Sequence, residues 1–293
     1  MTAISTKTFK MNYRKYPDGT GYWTVVKEDR GGEFTFKVNN YADLWRMYQF
    51  IDAYTSVFAE EPVITIPCLL DAQADRRFEV GQTAGLKVLL QSLDSQQAFF
   101  NVFHPHNPEM VEGMVGDVRI MSNQYFVQQV IKDIDGTYAN TKLNPENNLI
   151  LMSADAGGFK PLIKLADSID WKGETYSASK ARVPGGKMVQ QIDREDFGGK
   201  DILIVDDISV YGGTFKGLSK LLRERNCGKL YLAVSHMTVQ TLGEDPVTEY
   251  FDRLFTTNSK FEEYYLYEDS NGGGHMYGAV DNLEVINMFK YDG

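Results

Sequence analysis

Asp201-Ile-Leu-Ile-Val-Asp-Asp-Ile-Ser-Val-Tyr-Gly-Gly-Thr-Phe215 is the stretch from which the fold of this chain can be read. The run Ile202 to Val205 is short and wholly apolar, which predicts a strand buried on both faces of a parallel sheet. Two carboxylates, Asp206 and Asp207, follow where that strand is expected to end. A loop of small residues comes next, Gly212, Gly213 and Thr214. From Phe215 to Arg225, Leu218, Leu221 and Leu222 fall at helical spacing. Strand, acidic pair, glycine loop and helix together suit a phosphorylated sugar. Backbone amides and a helix N-terminus attract phosphate, and carboxylates accept hydrogen bonds from ribose hydroxyls or hold Mg²⁺. The plainer alternative is an ordinary strand-to-helix turn.

Working outward, apolar runs alternate with helical periodicity. Up to about residue 37 the chain reads as strands, Tyr22 to Val26 and Phe34 to Val38, broken by Pro17-Asp-Gly19 and Gly31-Gly32. Strands are also predicted over Val63 to Leu70, Ala98 to Phe103, Asn148 to Met152, Leu230 to Val234 and Phe251 to Thr256. Helices are predicted over Tyr41 to Phe58, with Leu44, Met47, Tyr48 and Ile51 on one face, over Gln82 to Leu93, and over Phe159 to Asp167. Such alternation argues for an α/β fold with parallel sheets. Its active-site residues belong at the carboxyl ends of strands. Polar motifs do follow the apolar runs: Asp71-Ala-Gln-Ala-Asp-Arg-Arg77 after Leu70, His104 after Phe103, Asp155 after Met152, and the acidic pair after Val205. Four strand ends carrying acids, bases or cations can converge on one cleft.

A chain of 293 residues has room for two medium domains. Its net charge of −10 argues against non-specific nucleic-acid binding, although cations cluster at Arg76-Arg77 and from Lys180 to Lys187. With no apolar run of about 18 residues, no membrane span is expected. The first residues lack the apolar core of a signal peptide, so a cytoplasmic location is expected. Cys68 and Cys227 read as two reduced thiols. Together with four histidines they give no support for a structural zinc cluster.

The order and spacing of these motifs resemble the phosphoribosyl pyrophosphate (PRPP) synthetases, or ribose-phosphate diphosphokinases, over nearly the whole chain. Asn40 to Tyr54 resembles a first-domain helix of that family, and Ile66 to Arg77 its strand and ATP-gripping loop. Ser235-His236 and Thr257-Asn258-Ser259 resemble late signatures of its second domain. The resemblance implies two tandem domains of the type I phosphoribosyltransferase kind, each a mainly parallel sheet flanked by helices. They are expected at residues 1–140 and 141–293. It also implies transfer of the β,γ-diphosphate of ATP to the anomeric hydroxyl of a ribose 5-phosphate moiety, with AMP leaving. Lys180 and Arg182 then correspond to the Lys-x-Arg of the catalytic loop. Asp18, Gln73, Asp75, Arg76, Arg77 and His104 correspond to ATP-binding positions. His104 and Asp155 correspond to positions near Mg²⁺. Asp206, Asp207, Val210, Tyr211, Gly212, Gly213 and Thr214 correspond to the ribose-phosphate loop. A homo-oligomer is implied as well.

The chain departs from that pattern at informative points. Where the family has Asp-Thr in the 5-phosphate loop, this chain has Val210-Tyr211, so a compact phosphate donor has become a bulky aromatic. That suits an acceptor whose 5-phosphate carries further groups. A branch of the family known from bacteriophages pyrophosphorylates ADP-ribose, a step towards rebuilding NAD. ADP-ribose is accordingly the expected acceptor here, with ribose 5-phosphate as the alternative. The family's Arg-Gln has become Gln73-Ala74, and its Phe-Ser-Asp/Asn-Gly-Glu segment has become Tyr16-Pro-Asp-Gly-Thr20. ATP contacts are therefore altered, and the family's allosteric ADP site is not expected. A phosphoribosyltransferase would share Asp206 to Thr214 but has no need of His104 or Lys180-x-Arg182. A non-catalytic regulator would have no need of any of them.

Overall fold

The computed structural model describes residues 11–27, 30–138, 148–182, 188–243, 245–260, 265–268, 274–277 and 282–289. The chain divides into two compact units, Met1–Ser122 with Phe289–Gly293, and Asn123–Met288.

In the first unit, β1 (Asn12–Lys15) and β2 (Gly21–Thr24) form an antiparallel hairpin. Its turn contains Gly19 at φ 90°, a conformation that suits glycine. β3 (Glu33–Thr35), β4 (Val63–Ile66), β5 (Phe99–Phe103) and β6 (Val118–Met121) form a parallel sheet in sequence order. α1 (Tyr41–Phe58), α2 (Gly85–Asp94) and α3 (Pro108–Met114) connect them. Right-handed crossovers that always step the same way place all three helices on one face. The core agrees: Phe34, Ile64, Ile66, Phe100 and Val102 gather with Met47, Phe50, Leu90 and Val111. α1 has the predicted bounds. Asn40 caps it by accepting from Asp43 N at 3.0 Å, and Ala59 ends it in the left-handed region at φ 51°.

The second unit holds one six-stranded sheet. α4 (Gln124–Tyr138) precedes β7 (Leu149–Ser153), and α5 (Phe159–Ser168) leads to the edge strand β8 (Thr175–Ser177). β9 (Ser179–Arg182) and β10 (Met188–Gln191) form an antiparallel hairpin. β11 (Asp201–Ser209), α6 (Gly213–Glu224), β12 (Leu230–Met237) and β13 (Arg253–Thr257) follow. A hairpin of β14 (Tyr265–Glu268) and β15 (Gly274–Tyr277) precedes β16 (Leu283–Ile286). The strand order is β16-β13-β12-β11-β7-β8, all neighbours parallel. Alternate strand residues serve opposite faces. Ile150, Ile202, Ile204 and Leu232 pack on Phe215, Leu218 and Leu222 of α6. Leu149, Leu203, Val205 and Tyr231 pack on Phe126, Val130 and Ile134 of α4 and on Leu162 and Leu165 of α5.

The structure departs from the sequence reading in places. β11 runs on through Asp206 and Asp207, which were expected to follow it. Its pairing with β12 persists to Ser209↔Met237, whereas its pairing with β7 stops at Ile204↔Met152. β4 stops at Ile66, because Pro67 has no N–H to continue the ladder. α2 begins at Gly85, three residues later than predicted. The domain boundary expected at residue 140 stands against a division between Ser122 and Asn123. α4 packs on the second sheet, which draws its residues into that unit. Chain beyond β16 rejoins the first unit, with the Phe289 ring 5.2 Å from that of Phe103. Among the described residues no helix is long and apolar enough to cross a membrane.

Candidate active site

The second sheet reverses direction between β7 and β11. From β7 the chain steps through α5 to β8 on one side, and from β11 through α6 to β12 on the other. The two helices lie on opposite faces, so their N-termini flank a crevice beyond the carboxyl ends of β7 and β11. Ligands of open α/β sheets bind at such a switch point. Asp155 follows β7 there, and Asp206 and Asp207 lie on β11 past the point where β7 leaves it.

These carboxylates are fixed by backbone amides. Asp155 Oδ1 accepts from Gly157 N at 3.0 Å and Gly158 N at 3.2 Å, which orients the turn into α5. Asp206 Oδ1 accepts from Asp207 N at 2.9 Å, and Asp207 Oδ1 from Ile208 N at 2.8 Å. Burial among the strand ends pushes the Asp206 carboxyl well above the usual carboxylate range. The adjoining Asp207 charge adds to this, and Asp155 adds further. A carboxyl and a carboxylate side by side present a donor as well as acceptors. A vicinal diol, whose hydroxyls both donate and accept, can use both.

Beyond β11 the chain enters α6 through Gly212, which sits at φ 72° and supplies no capping side chain. A side chain at Gly213 would meet nothing within 4 Å. α6 thus begins without a side-chain cap, and an uncapped helix N-terminus is an anion-binding arrangement. Thr238 pins the loop from the next strand. Its Oγ1 donates to Val210 O at 2.8 Å, and its N donates to Ser209 O at 2.9 Å. Tyr211, beside this loop, is 70% exposed.

Lys180 and Arg182 lie on β9, in register with Gln190 and Met188 of β10. Their side chains and the connecting residues 183–187, with Lys187, are outside the described residues. The hairpin leaves the carboxyl end of β8, where Ala178 N donates to Ser153 O at 3.1 Å. It therefore rises at the same end of the sheet as the carboxylates. Ser235, His236, Thr257 and Ser259 form a buried network behind them. His236 Nδ1 lies 2.8 Å from Ser259 Oγ, and Thr257 Oγ1 donates to Ser235 O at 2.7 Å. The geometry gives these late signatures a supporting part.

In the first unit the polar loops again leave carboxyl ends of strands. His104 follows β5 at φ 39°, unusual for a residue with a side chain, and its N donates to Met121 O at 2.8 Å. Asp75 accepts from Asn107 Nδ2 at 3.0 Å, which ties the loop after β4 to the loop after β5. Arg76 and Arg77 are exposed, and so is Gln73. Asp18 is used within its own turn, accepting from Thr20 N at 3.0 Å and Thr20 Oγ1 at 2.7 Å. The Thr20 hydroxyl in particular holds its carboxyl below the usual range.

Two features escaped the sequence reading. Asn107 also caps α3 by accepting from Met110 N at 3.0 Å, and the pair Asn107-Pro108 is a helix-start signal that could have found it. Asp71, at φ 52°, accepts from Tyr41 Oη at 2.7 Å. A methyl at Gly85 would come within 2.9 Å of Asp71 Cγ, so the loop closes tightly against α2. That contact leaves no local signal in the sequence. A groove of about 480 Å³ between α6 and the turn at residues 247–250 is lined by Lys220, Arg223, Glu249 and Tyr250 and holds none of these site residues.

Comparison with known proteins agrees with this geometry. The profile of the phosphoribosyl transferase domain family matches residues 122–269. The chain is 22% identical over 239 residues to a ribose-phosphate pyrophosphokinase of Saccharolobus solfataricus, covering 80% of this chain and 78% of that one. It is 25% identical over 251 residues to one of Pyrococcus abyssi, covering 84% and 82%. The crystal structure of phosphoribosylpyrophosphate synthetase from Mycobacterium smegmatis superposes with a TM-score of 0.71 at 18% identity, covering 97% of this chain and 88% of that one. At that identity the superposition speaks for the fold.

Proposed function

Because the chain belongs to the phosphoribosyl transferase domain family, and within it to the ribose-phosphate pyrophosphokinases, we propose that this enzyme forms PRPP from ATP and ribose 5-phosphate. The anomeric oxygen attacks the β-phosphorus. The bond from that phosphorus to the oxygen bridging the α-phosphate breaks, AMP leaves with that oxygen, and the hydroxyl proton passes to solvent. The observation that carries this reading is the carboxylate pair Asp206–Asp207 at the switch point, next to an α6 N-terminus without a capping side chain.

In this reading Asp206 and Asp207 grip the 2- and 3-hydroxyls, and the amides of Gly213 and Thr214 hold the 5-phosphate. Lys180 and Arg182 neutralise charge on the diphosphate in flight. Reactions of this kind are catalysed mostly by positioning and charge neutralisation. Arg76, Arg77 and His104 contact the phosphates of ATP.

Among the described residues no three His, Cys, Asp or Glu side chains are placed so that they could hold a metal ion between them. A magnesium ion carried by nucleotide phosphates needs one or two protein oxygens and keeps waters for the rest. Asp155, a carboxylate already oriented by two amides, fits that demand. When bound, magnesium supplies charge neutralisation at the diphosphate.

A second reading has one observation in its favour. Tyr211, 70% exposed beside the phosphate loop, offers a ring and a hydroxyl to anything attached to the 5-phosphate. ADP-ribose is such an acceptor. The named relatives support only the ribose-phosphate reading, so Tyr211 carries the second one alone. The deciding experiment measures AMP formation from ATP and Mg²⁺ with each acceptor in parallel, with mass spectrometry of the products. Diphosphate on ribose 5-phosphate supports the first reading. Diphosphate on ADP-ribose alone replaces it with the second. AMP from neither acceptor refutes both.

A further inference from the structure

Gly217 sits inside α6, about one turn beyond its start at Gly213. A glycine within a helix is destabilising relative to alanine. Its backbone is outside the left-handed region that glycine favours, so the local conformation does not demand one. The demand comes from a neighbour. A methyl at Gly217 would come within 2.7 Å of Gln190 Oε1, so the Gln190 amide lies against the helix backbone. Gln190 Nε2 is buried with no hydrogen-bond partner among the described residues. A buried donor left unpaired is a second cost at the same contact. Local costs that nothing local offsets are characteristic of functional sites.

Gln190 belongs to β10 and stands directly opposite Lys180 of β9. Opposed positions of an antiparallel pair share a face of the ribbon. The root of the hairpin is fixed beside the same helix. Ala178 before β9 and Ile192 after β10 are buried in one core with Phe215 and Leu218, which flank Gly217 on α6. We infer that Gln190 and Gly217 are positioning residues, whose contact seats the β9–β10 hairpin on α6 and so sets where Lys180 stands relative to the α6 N-terminus. This rests on the function proposed above, in which Lys180 neutralises charge on the diphosphate in flight. Neither residue of the pair touches substrate in this account. Because that cation acts in the transition state, a shifted seat lowers kcat and leaves both KM values in place.

The test compares the wild type with Gly217→Ala, Gln190→Asn and the double variant. Each is read by kcat and both KM values for AMP formation, by melting temperature, and by hydrogen exchange of the amides of Ser179–Arg182 and Met188–Gln191. Gly217→Ala pushes the amide off the helix. Gln190→Asn, one methylene shorter, no longer reaches it. Each single variant should lose roughly 10- to 100-fold in kcat, as a misplacement of about 1 Å does. Both KM values should stay nearly unchanged, and faster exchange should be confined to the hairpin. The double variant adds to α6 the carbon it removes from β10, and should regain most of the lost kcat together with slow exchange. Losses that multiply in the double variant overturn the inference. So does a raised KM for the acceptor with kcat unchanged, which would assign Gly217 to the phosphate end of α6. A loss of kcat that only follows a lowered melting temperature, with exchange faster throughout the second unit, overturns it too. A wild type that forms no AMP refutes the proposed reaction, while hydrogen exchange in the same variants still decides whether the seat exists.

Discussion

Replacing Asp206 by asparagine should make the protein more stable and nearly inactive, and the gain in stability should depend on pH. An unfolded aspartate titrates near 3.9. In the folded state, burial, Asp207 and Asp155 raise the Asp206 carboxyl well above that. Between the two values the folded state holds more protons than the unfolded one, so stability falls as pH rises. Above the raised value the penalty is complete and constant. Asparagine removes the titration and keeps an Oδ1 able to accept from Asp207 N, the bond that is 2.9 Å in the wild type. Relief of a strained site residue commonly gains about 0.5–2 kcal/mol. In a unit of this size that corresponds to a melting temperature higher by roughly 1–8 °C. The assay is thermal or urea unfolding of both proteins from pH 4 to pH 8, with AMP formation measured alongside. Activity should fall on the order of 100-fold, since the ribose loses one of its two anchors. A variant no more stable than wild type at pH 7.5, or a gain of the same size at pH 4, would refute the reasoning.

Other substitutions separate further parts of the site. Asp155→Ala removes the acceptor for Gly157 N and Gly158 N and should cost about 1 kcal/mol, whereas Asp155→Asn should keep most of that stability; both should lose activity, measured as AMP release across a magnesium titration. Gly212→Ala forces a side chain onto a backbone at φ 72°, at a cost of about 1–2 kcal/mol, and should raise the KM for the phosphorylated acceptor more than the KM for ATP. Phe255→Ala empties a fully buried position between β13 and the α4–α5 face and should destabilise by about 3–5 kcal/mol, read by urea unfolding of the ligand-free protein.

The helices and strands were legible where one short-range signal dominated. α1 was bounded correctly because Asn40 caps it and its apolar positions recur at helical spacing. Where a neighbour decides, the sequence was a poorer guide. Nothing within Ile202–Val205 says that β11 continues through two aspartates; β12, apolar to Val234 and still pairing at Met237, holds it in the sheet. Nor does the run to Leu70 announce that β4 stops at Ile66, although Pro67 does. His104 and Asp155 were legible as polar residues that follow apolar runs, and they do follow β5 and β7. The contacts of Asp71 were not legible because one comes from Tyr41, 30 positions away, and the other from the closeness of Gly85.

The clustering of Asp155 with Asp206 and Asp207 shows why order in the sheet matters more than order in the chain. Asp155 and Asp206 are 51 positions apart, and β8, β9 and β10 come between them in sequence. They become neighbours because the chain steps from β7 to one side of the sheet and later resumes on the other, which leaves β7 beside β11. That reversal opens the crevice and brings the two helix N-termini to it. A sheet wound in one direction only, like the β3-β4-β5-β6 sheet of the first unit, has no such point within it. This asymmetry predicts where ribose phosphate binds. Substitutions at Asp206, Asp207 and Gly212 should raise the KM for the acceptor, whereas substitutions at Arg76 and Arg77 should raise the KM for ATP. Acceptor binding that responded to the loop after β4 instead would place the sugar in the first unit and sink the assignment.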